Sequence, residues 1–133
     1  MSGRIEFLVI SSSREHHWYE TLRKTLAPVG TLRIETEEEA VKLVMSVGYD
    51  LVIVDATVVD NVPLLLARIR AQRPSAYVVV ATANPSWDKA RQAFQAGASD
   101  YVSKSFDATE ILAVVSAEIK RRGLDVSHKP FRR

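Results

Sequence analysis

The sequence predicts one α/β domain whose core is an open, doubly wound parallel sheet of five strands with helices on both faces. Short apolar runs alternate five times with longer amphipathic runs along the chain, and this alternation is typical of a parallel sheet with right-handed crossovers. Several short runs are apolar throughout, as expected for strands that are covered on both faces. Five such units are too few for an eight-stranded barrel, so we expect an open sheet.

The five predicted strands are short and end at polar or turn residues. The first, third and fourth are rich in β-branched residues, which favours the buried middle of the sheet. The second alternates between apolar and polar residues, which predicts a position near an edge. The fifth is weak and depends on its neighbours for its assignment. The strands are predicted over residues 5–10, 31–35, 51–54, 77–81 and 101–102.

The helices between these strands have apolar stripes and recognisable ends. The first carries Trp18, Leu22 and Leu26 four residues apart on one face. Thr36 and Ser86 are suited to cap the second and fourth helices, and Gly97 is suited to end the fourth. The helices are predicted over residues 15–27, 38–47, 64–73, 87–96 and 110–122.

The composition indicates a soluble protein with one compact core. Hydrophobic residues make up 47% and charged residues 26%, and the absence of cysteine excludes disulfides and thiolate chemistry. No stretch is long and apolar enough for a membrane segment, so we expect a cytoplasmic domain over residues 4–122. Residues 123–133 are basic and contain Pro130, which predicts a solvated tail or linker.

Polar residues follow the predicted strands at the edge where a doubly wound sheet binds ligands. Ser11 and Ser12 come after the first strand and Asp55 after the third, while Thr82 follows the fourth and Lys104 the fifth. Each residue alone is common at a strand end. Together they predict a polar cluster with one carboxylate and one ammonium, suited to an anion or a phosphoryl group.

Three segments resemble the receiver domain of response regulators. These are DLVIVDA at residues 50–56, VVVATA at 78–83 and AFQAGASDYVSKSF at 93–106, of which the last is the most specific. The resemblance extends over roughly residues 4–122. It implies a flavodoxin-like (βα)5 receiver fold with strand order 2-1-3-4-5, and a phosphoacceptor signalling domain of a two-component system or phosphorelay rather than an enzyme.

The resemblance also implies roles for individual residues. Asp55 matches the phosphoaccepting aspartate, and Lys104 matches the lysine that contacts the phosphoryl oxygens. Thr82 matches the hydroxyl residue that turns toward the phosphoryl group, and Tyr101 matches the aromatic residue that follows it inward. Thr57 matches the position whose backbone carbonyl, together with the carboxylate of Asp55, is a metal ligand.

The sequence departs from the family where the metal is normally held. Ser11 and Ser12 stand in place of two acidic residues, although Mg²⁺ usually has carboxylate ligands. Two unit charges about 4 Å apart interact by roughly 4 kcal/mol at an effective dielectric constant near 20, so a divalent ion loses up to about twice that per missing carboxylate. We therefore predict weak Mg²⁺ binding and slow or absent phosphorylation. Ser105 also replaces the proline that follows the family's lysine.

Three functions remain open on the sequence. The first is a receiver that accepts phosphate on Asp55, and the second is a phosphorylation-independent pseudo-receiver that acts as a protein-interaction or dimerisation module. The third, a flavodoxin-like ligand binder or enzyme, is disfavoured because no glycine-rich phosphate loop follows the first strand.

The expected partners are a histidine kinase or another receiver or output domain, with a homodimer as a further option. We expect no contact with nucleic acid through this domain and none with a membrane.

Overall fold

The computed structural model describes residues 5–11, 16–104 and 109–122, which form five parallel strands and five helices. The strands lie side by side in the order β2-β1-β3-β4-β5, so the predicted fold class and strand order are confirmed. The strand β2 lies at an edge, as its alternating pattern predicts. In chain order the elements are β1 (Ile5–Ile10), α1 (His16–Leu26), β2 (Gly30–Glu35), α2 (Glu37–Ser46), β3 (Leu51–Asp55), α3 (Val62–Gln72), β4 (Val78–Thr82), α4 (Trp87–Ala96), β5 (Asp100–Ser103) and α5 (Thr109–Arg122).

The strands β3 and β4 each end one residue later than predicted, and both of these end residues belong to the predicted site. Asp55 ends β3 opposite Ala81, and Thr82 ends β4 opposite Ser103. The polar residue at each of these positions favours an earlier strand end from sequence. A parallel ladder is held by backbone hydrogen bonds, so a polar side chain does not end it. Both residues are therefore fixed by the sheet and not by a loop.

The sheet separates two apolar layers. One layer lies against α1 and α5 and includes Leu51 and Ile53 of β3. The other lies against α2, α3 and α4 and includes Val80 of β4. Because side chains alternate across a strand, Asp55 continues the first set and Thr82 continues the second. The two site residues thus lie at the same edge of the sheet but are directed to opposite faces.

The side chain of Arg70 joins α3 to the turns before β4 and after α4. Its guanidinium donates to the carbonyl oxygen of Gly97 from Nε at 2.9 Å and from Nη2 at 2.6 Å. It also donates to the hydroxyl of Ser99 at 3.1 Å and to the carbonyl oxygens of Pro74 and Ala76. Burial lowers the pKa of Arg70 below its ordinary value. This guanidinium satisfies carbonyl groups that the helix and strand ends leave open.

Within the part of the chain that the structure describes, no helix is both long enough and apolar enough to cross a membrane. The predicted tail at residues 123–133 and residue 4 lie outside the described residues, so the domain limits stay predictions.

Candidate functional site

The carboxylate of Asp55 lies at the carboxyl end of β3 and is fully buried. Its Oδ1 accepts a hydrogen bond from the backbone N–H of Thr57 at 3.0 Å, and its Oδ2 accepts one from the hydroxyl of Tyr19 at 2.9 Å. The Lys104 ammonium lies 3.2 Å from each of the two oxygens. The turn after β3, helix α1 and the residue after β5 therefore each supply a donor to this one carboxylate.

Lys104 is held in place by contacts on both sides of β5. Its backbone N–H donates to the carbonyl oxygen of Thr82 at 2.8 Å, which continues the parallel ladder past the strand. The preceding residue, Ser103, donates to the carboxylate of Glu110 on α5 from its N–H at 3.0 Å and from its hydroxyl at 2.8 Å. The Lys104 side chain is only 7% exposed, and its ammonium also approaches the Thr57 hydroxyl at 3.4 Å. Asp55 and Lys104 thus form a buried ion pair with fixed geometry.

Thr82 and Tyr101 lie beside this pair and face the other layer of the sheet. The Thr82 hydroxyl accepts from the backbone N–H of Asn84 at 3.1 Å. Both residues line a cavity of about 170 Å³, which Lys89 and Gln92 of α4 border on the far side. The Tyr101 hydroxyl is buried without a hydrogen-bond partner among the described residues. Four of the predicted site residues therefore fall into two adjacent groups, Asp55 with Lys104 and Thr82 with Tyr101.

Two aromatic residues of α1 belong to the site and were not predicted as part of it. Trp18 was assigned to the apolar stripe of α1, and it is indeed buried in the core, but its ring also lies 4.9 Å from the Lys104 ammonium. Tyr19 is 5% exposed and was not singled out. One sequence signal could have identified it. Tyr19 follows Trp18 at the border of the apolar stripe, which favours partial burial, and a buried tyrosine hydroxyl usually has a hydrogen-bond partner.

Comparison with known proteins assigns the chain to a family. The sequence model of the response regulator receiver domain matches residues 16–116, well over half of the chain. The chain belongs to this family. The receiver is 40% identical over 77 residues to the DNA-binding transcriptional regulator NtrC of Rhizobium meliloti (strain 1021). The aligned segment covers 55% of this chain and 16% of that protein. The resemblance drawn from the three sequence segments is thereby confirmed.

Two solved structures illustrate the shared fold. The signal receiver domain of an HD domain-containing protein from Pseudomonas fluorescens Pf-5 is 29% identical, with a TM-score of 0.75 over 92% of this chain and 99% of that one. A response regulator from Burkholderia pseudomallei with a phosphorylated aspartic acid, a calcium ion and citrate is 26% identical, with a TM-score of 0.68 over 88% and 71% of the two chains. The receiver spans well under half of the length of the curated relatives that it matches.

Receiver domains generally bind Mg²⁺ at an acidic pocket, but the described residues of this receiver do not fit such an ion. They contain no group of three or more histidine, cysteine, aspartate or glutamate residues that could hold a metal. Ser11 is buried at the end of β1 and offers a hydroxyl where the family has a carboxylate, while Ser12 and Ser105 lie outside the described residues. The Asp55 carboxylate already accepts from the Tyr19 hydroxyl. Weak Mg²⁺ binding stays a prediction.

Proposed function

We propose that this receiver accepts a phosphoryl group on Asp55 within a cytoplasmic two-component system or phosphorelay, and that the modification switches a protein-interaction surface. The observation that carries the proposal is the buried pair in which the Lys104 ammonium lies 3.2 Å from both Asp55 oxygens. The phosphorylated aspartic acid in the Burkholderia pseudomallei response regulator is consistent with it.

The chemistry requires a cation at this position. An oxygen of Asp55 attacks the phosphorus of a phosphodonor, the bond from phosphorus to the donor's leaving group breaks, and the leaving group departs with the electron pair. Nucleophile and donor are both negatively charged, so a positive charge must offset their repulsion as the group transfers. Lys104 supplies a compact point charge, and the Thr57 N–H, now 3.0 Å from Oδ1, is a second donor for the added oxygens.

The second part of the proposal concerns the switch. A phosphoryl group adds about −1.5 to −2 charges and three strong acceptors. The Thr82 hydroxyl then turns toward it, and Tyr101 repacks with its hydroxyl beside the 170 Å³ cavity. These movements change the surface of α4, β5 and α5 that a histidine kinase, another receiver, an output domain or a second copy contacts.

Intact-mass analysis after incubation with acetyl phosphate tests the proposal. We expect a gain of one phosphoryl group in the native protein and none in Asp55→Asn. A Lys104→Met protein should gain it at least tenfold more slowly because its ammonium no longer neutralises the transferring group. Phosphorylation that persists in Asp55→Asn would contradict the assignment of the acceptor.

The alternative function is that of a phosphorylation-independent pseudo-receiver. It is favoured by Ser11 and Ser12 in place of the acidic pair and by the Tyr19 hydroxyl that occupies Oδ2 of Asp55. On this alternative the native protein gains no phosphoryl group from acetyl phosphate. A Ser11→Asp, Ser12→Asp protein that gains one would identify the lost acidic pair as the cause.

A further inference from the structure

The opening turns of α1 bring two aromatic side chains onto the Asp55–Lys104 pair. The Tyr19 hydroxyl donates to Oδ2 of Asp55 at 2.9 Å, and the Trp18 ring lies 4.9 Å from the Lys104 ammonium. The two rings are 6.0 Å apart and inclined by 55°, and both side chains are at least 94% buried by the sheet and α5. One helix therefore covers both charged groups of the site at once.

The hydrogen bonds of Asp55 leave little room for another ligand. Oδ1 accepts from the Thr57 N–H and from Lys104, while Oδ2 accepts from Tyr19 and from Lys104. A carboxylate has about four lone-pair sites, so these four contacts use its capacity. The carboxylate is also 0% exposed. A phosphodonor or a cation can reach an oxygen of Asp55 only after one of the donors has moved.

Tyr19 is the donor whose departure leaves both the backbone and the ion pair in place. The Thr57 N–H belongs to the backbone that follows β3 and is fixed by it. Lys104 carries the charge that neutralises a transferring phosphoryl group, so its departure would remove the cation when it is needed. The Tyr19 hydroxyl is neutral and sits at the end of a side chain with two rotatable bonds. Its departure exposes Oδ2 and leaves the ion pair intact.

We propose that the Tyr19 hydroxyl is a gate on Asp55: it occupies the carboxylate in the resting protein, keeps a divalent cation from it and must leave before a phosphodonor is attacked. The gate rests on the proposed function in one respect, since attack by Asp55 is the step that it controls. The Tyr19 hydrogen bond also explains how the buried Asp55 carboxylate is stabilised although the family's acidic pair is missing. A neutral donor and one lysine satisfy the carboxylate without a metal.

The test compares Tyr19→Phe, which removes only the hydroxyl, with Tyr49→Phe, which removes one at the opposite end of β3. Both are made in a Trp87→Phe background, because the chain has two tryptophans and this change leaves Trp18 as the single fluorophore beside Lys104. Trp87 is 91% exposed on α4, so its replacement does not disturb the core. Two quantities are measured: the initial rate of phosphorylation by acetyl phosphate, from intact mass, and the binding of Mg²⁺ alone, from Trp18 emission.

We expect Tyr19→Phe to raise the initial rate about tenfold and to lower the half-saturating Mg²⁺ concentration by a similar factor, the size expected for one hydrogen bond to a charged group. Tyr49→Phe should stay within about twofold of the parent. Adding Asp55→Asn to Tyr19→Phe should abolish both signals. Tyr19→Leu, which also lacks the hydroxyl, should change both quantities in the same direction, and an opposite change would overturn the gate.

The two measurements separate the gate from the proposed function. If the parent is phosphorylated and Tyr19→Phe is no faster, the gate is wrong and the proposed function stands. If no variant is phosphorylated but Tyr19→Phe binds Mg²⁺ more tightly than the parent, Tyr19 excludes a cation from Asp55 but gates no phosphorylation, and the proposed function is wrong. If no variant is phosphorylated and Mg²⁺ binding is unchanged, both are wrong.

Discussion

Replacing Lys104 with methionine tests how much the buried ion pair between Asp55 and Lys104 contributes to folding stability. The change leaves the Asp55 carboxylate, which is 0% exposed, without its counter-charge. Breaking a buried ion pair by removing one partner typically costs about 3–5 kcal/mol of folding stability. The Thr57 N–H and the Tyr19 hydroxyl remain on the carboxylate, so we expect a loss of about 3 kcal/mol, at the lower end of that range.

Urea denaturation followed by circular dichroism measures this loss, and Lys42→Met is the matched control. The Lys42 ammonium lies 3.7 Å from Glu39, but the two side chains are 73% and 54% exposed, so its removal should cost less than about 0.5 kcal/mol. Adding Asp55→Asn to Lys104→Met removes the unpaired charge and should recover at least half of the loss. If Lys104→Met and Lys42→Met had the same free energy of unfolding, the buried ion pair would be refuted.

Three further changes test the fold by urea denaturation. Gly97→Ala should lower the free energy of unfolding by about 1–3 kcal/mol, because Gly97 has a φ of +117° and a Cβ there would lie 2.9 Å from the Arg70 side chain. The control Gly48→Ala, whose Cβ would meet atoms no closer than 3.6 Å, should lower it by under about 1 kcal/mol. Equal losses in the two proteins would contradict the strain at Gly97. Arg70→Met should lower the free energy of unfolding by about 2–4 kcal/mol because several carbonyl oxygens lose their donor. The control is Arg91→Met, which removes an exposed guanidinium, and an equal loss in the two proteins would contradict the role of Arg70. Ser86→Ala should cost about 1 kcal/mol because its hydroxyl accepts from a backbone N–H of α4, and an unchanged stability would show that the cap is dispensable.

The fold could be predicted because its signals are local and repeated. Three strands are short apolar runs, the second alternates between apolar and polar residues, and the weak fifth follows from its neighbours. Each helix has an apolar stripe or an end signal such as Thr36 or Ser86, whose side chains do cap α2 and α4. The ends of β3 and β4 were missed by one residue, since a polar side chain does not interrupt a parallel backbone ladder.

Sequence predicts only those site residues that stand at the carboxyl ends of the strands. Asp55 and Lys104 end up in contact because the carboxyl ends of parallel strands share one edge of the sheet. The contact between Tyr19 and Asp55 could not be predicted in the same way. It depends on the rotation of α1 about its axis and on its distance from the sheet, which are set by packing between residues 36 positions apart in the chain.

The most direct test of phosphorylation on Asp55 is to locate the phosphoryl group chemically. Borohydride reduces an aspartyl phosphate to homoserine and leaves a free carboxylate unchanged, so acetyl phosphate treatment, reduction and peptide sequencing by mass spectrometry identify the modified residue. We predict homoserine at position 55, at a higher yield in Tyr19→Phe than in the native protein. An unmodified Asp55 in both proteins, or homoserine at another aspartate such as Asp60, would contradict it.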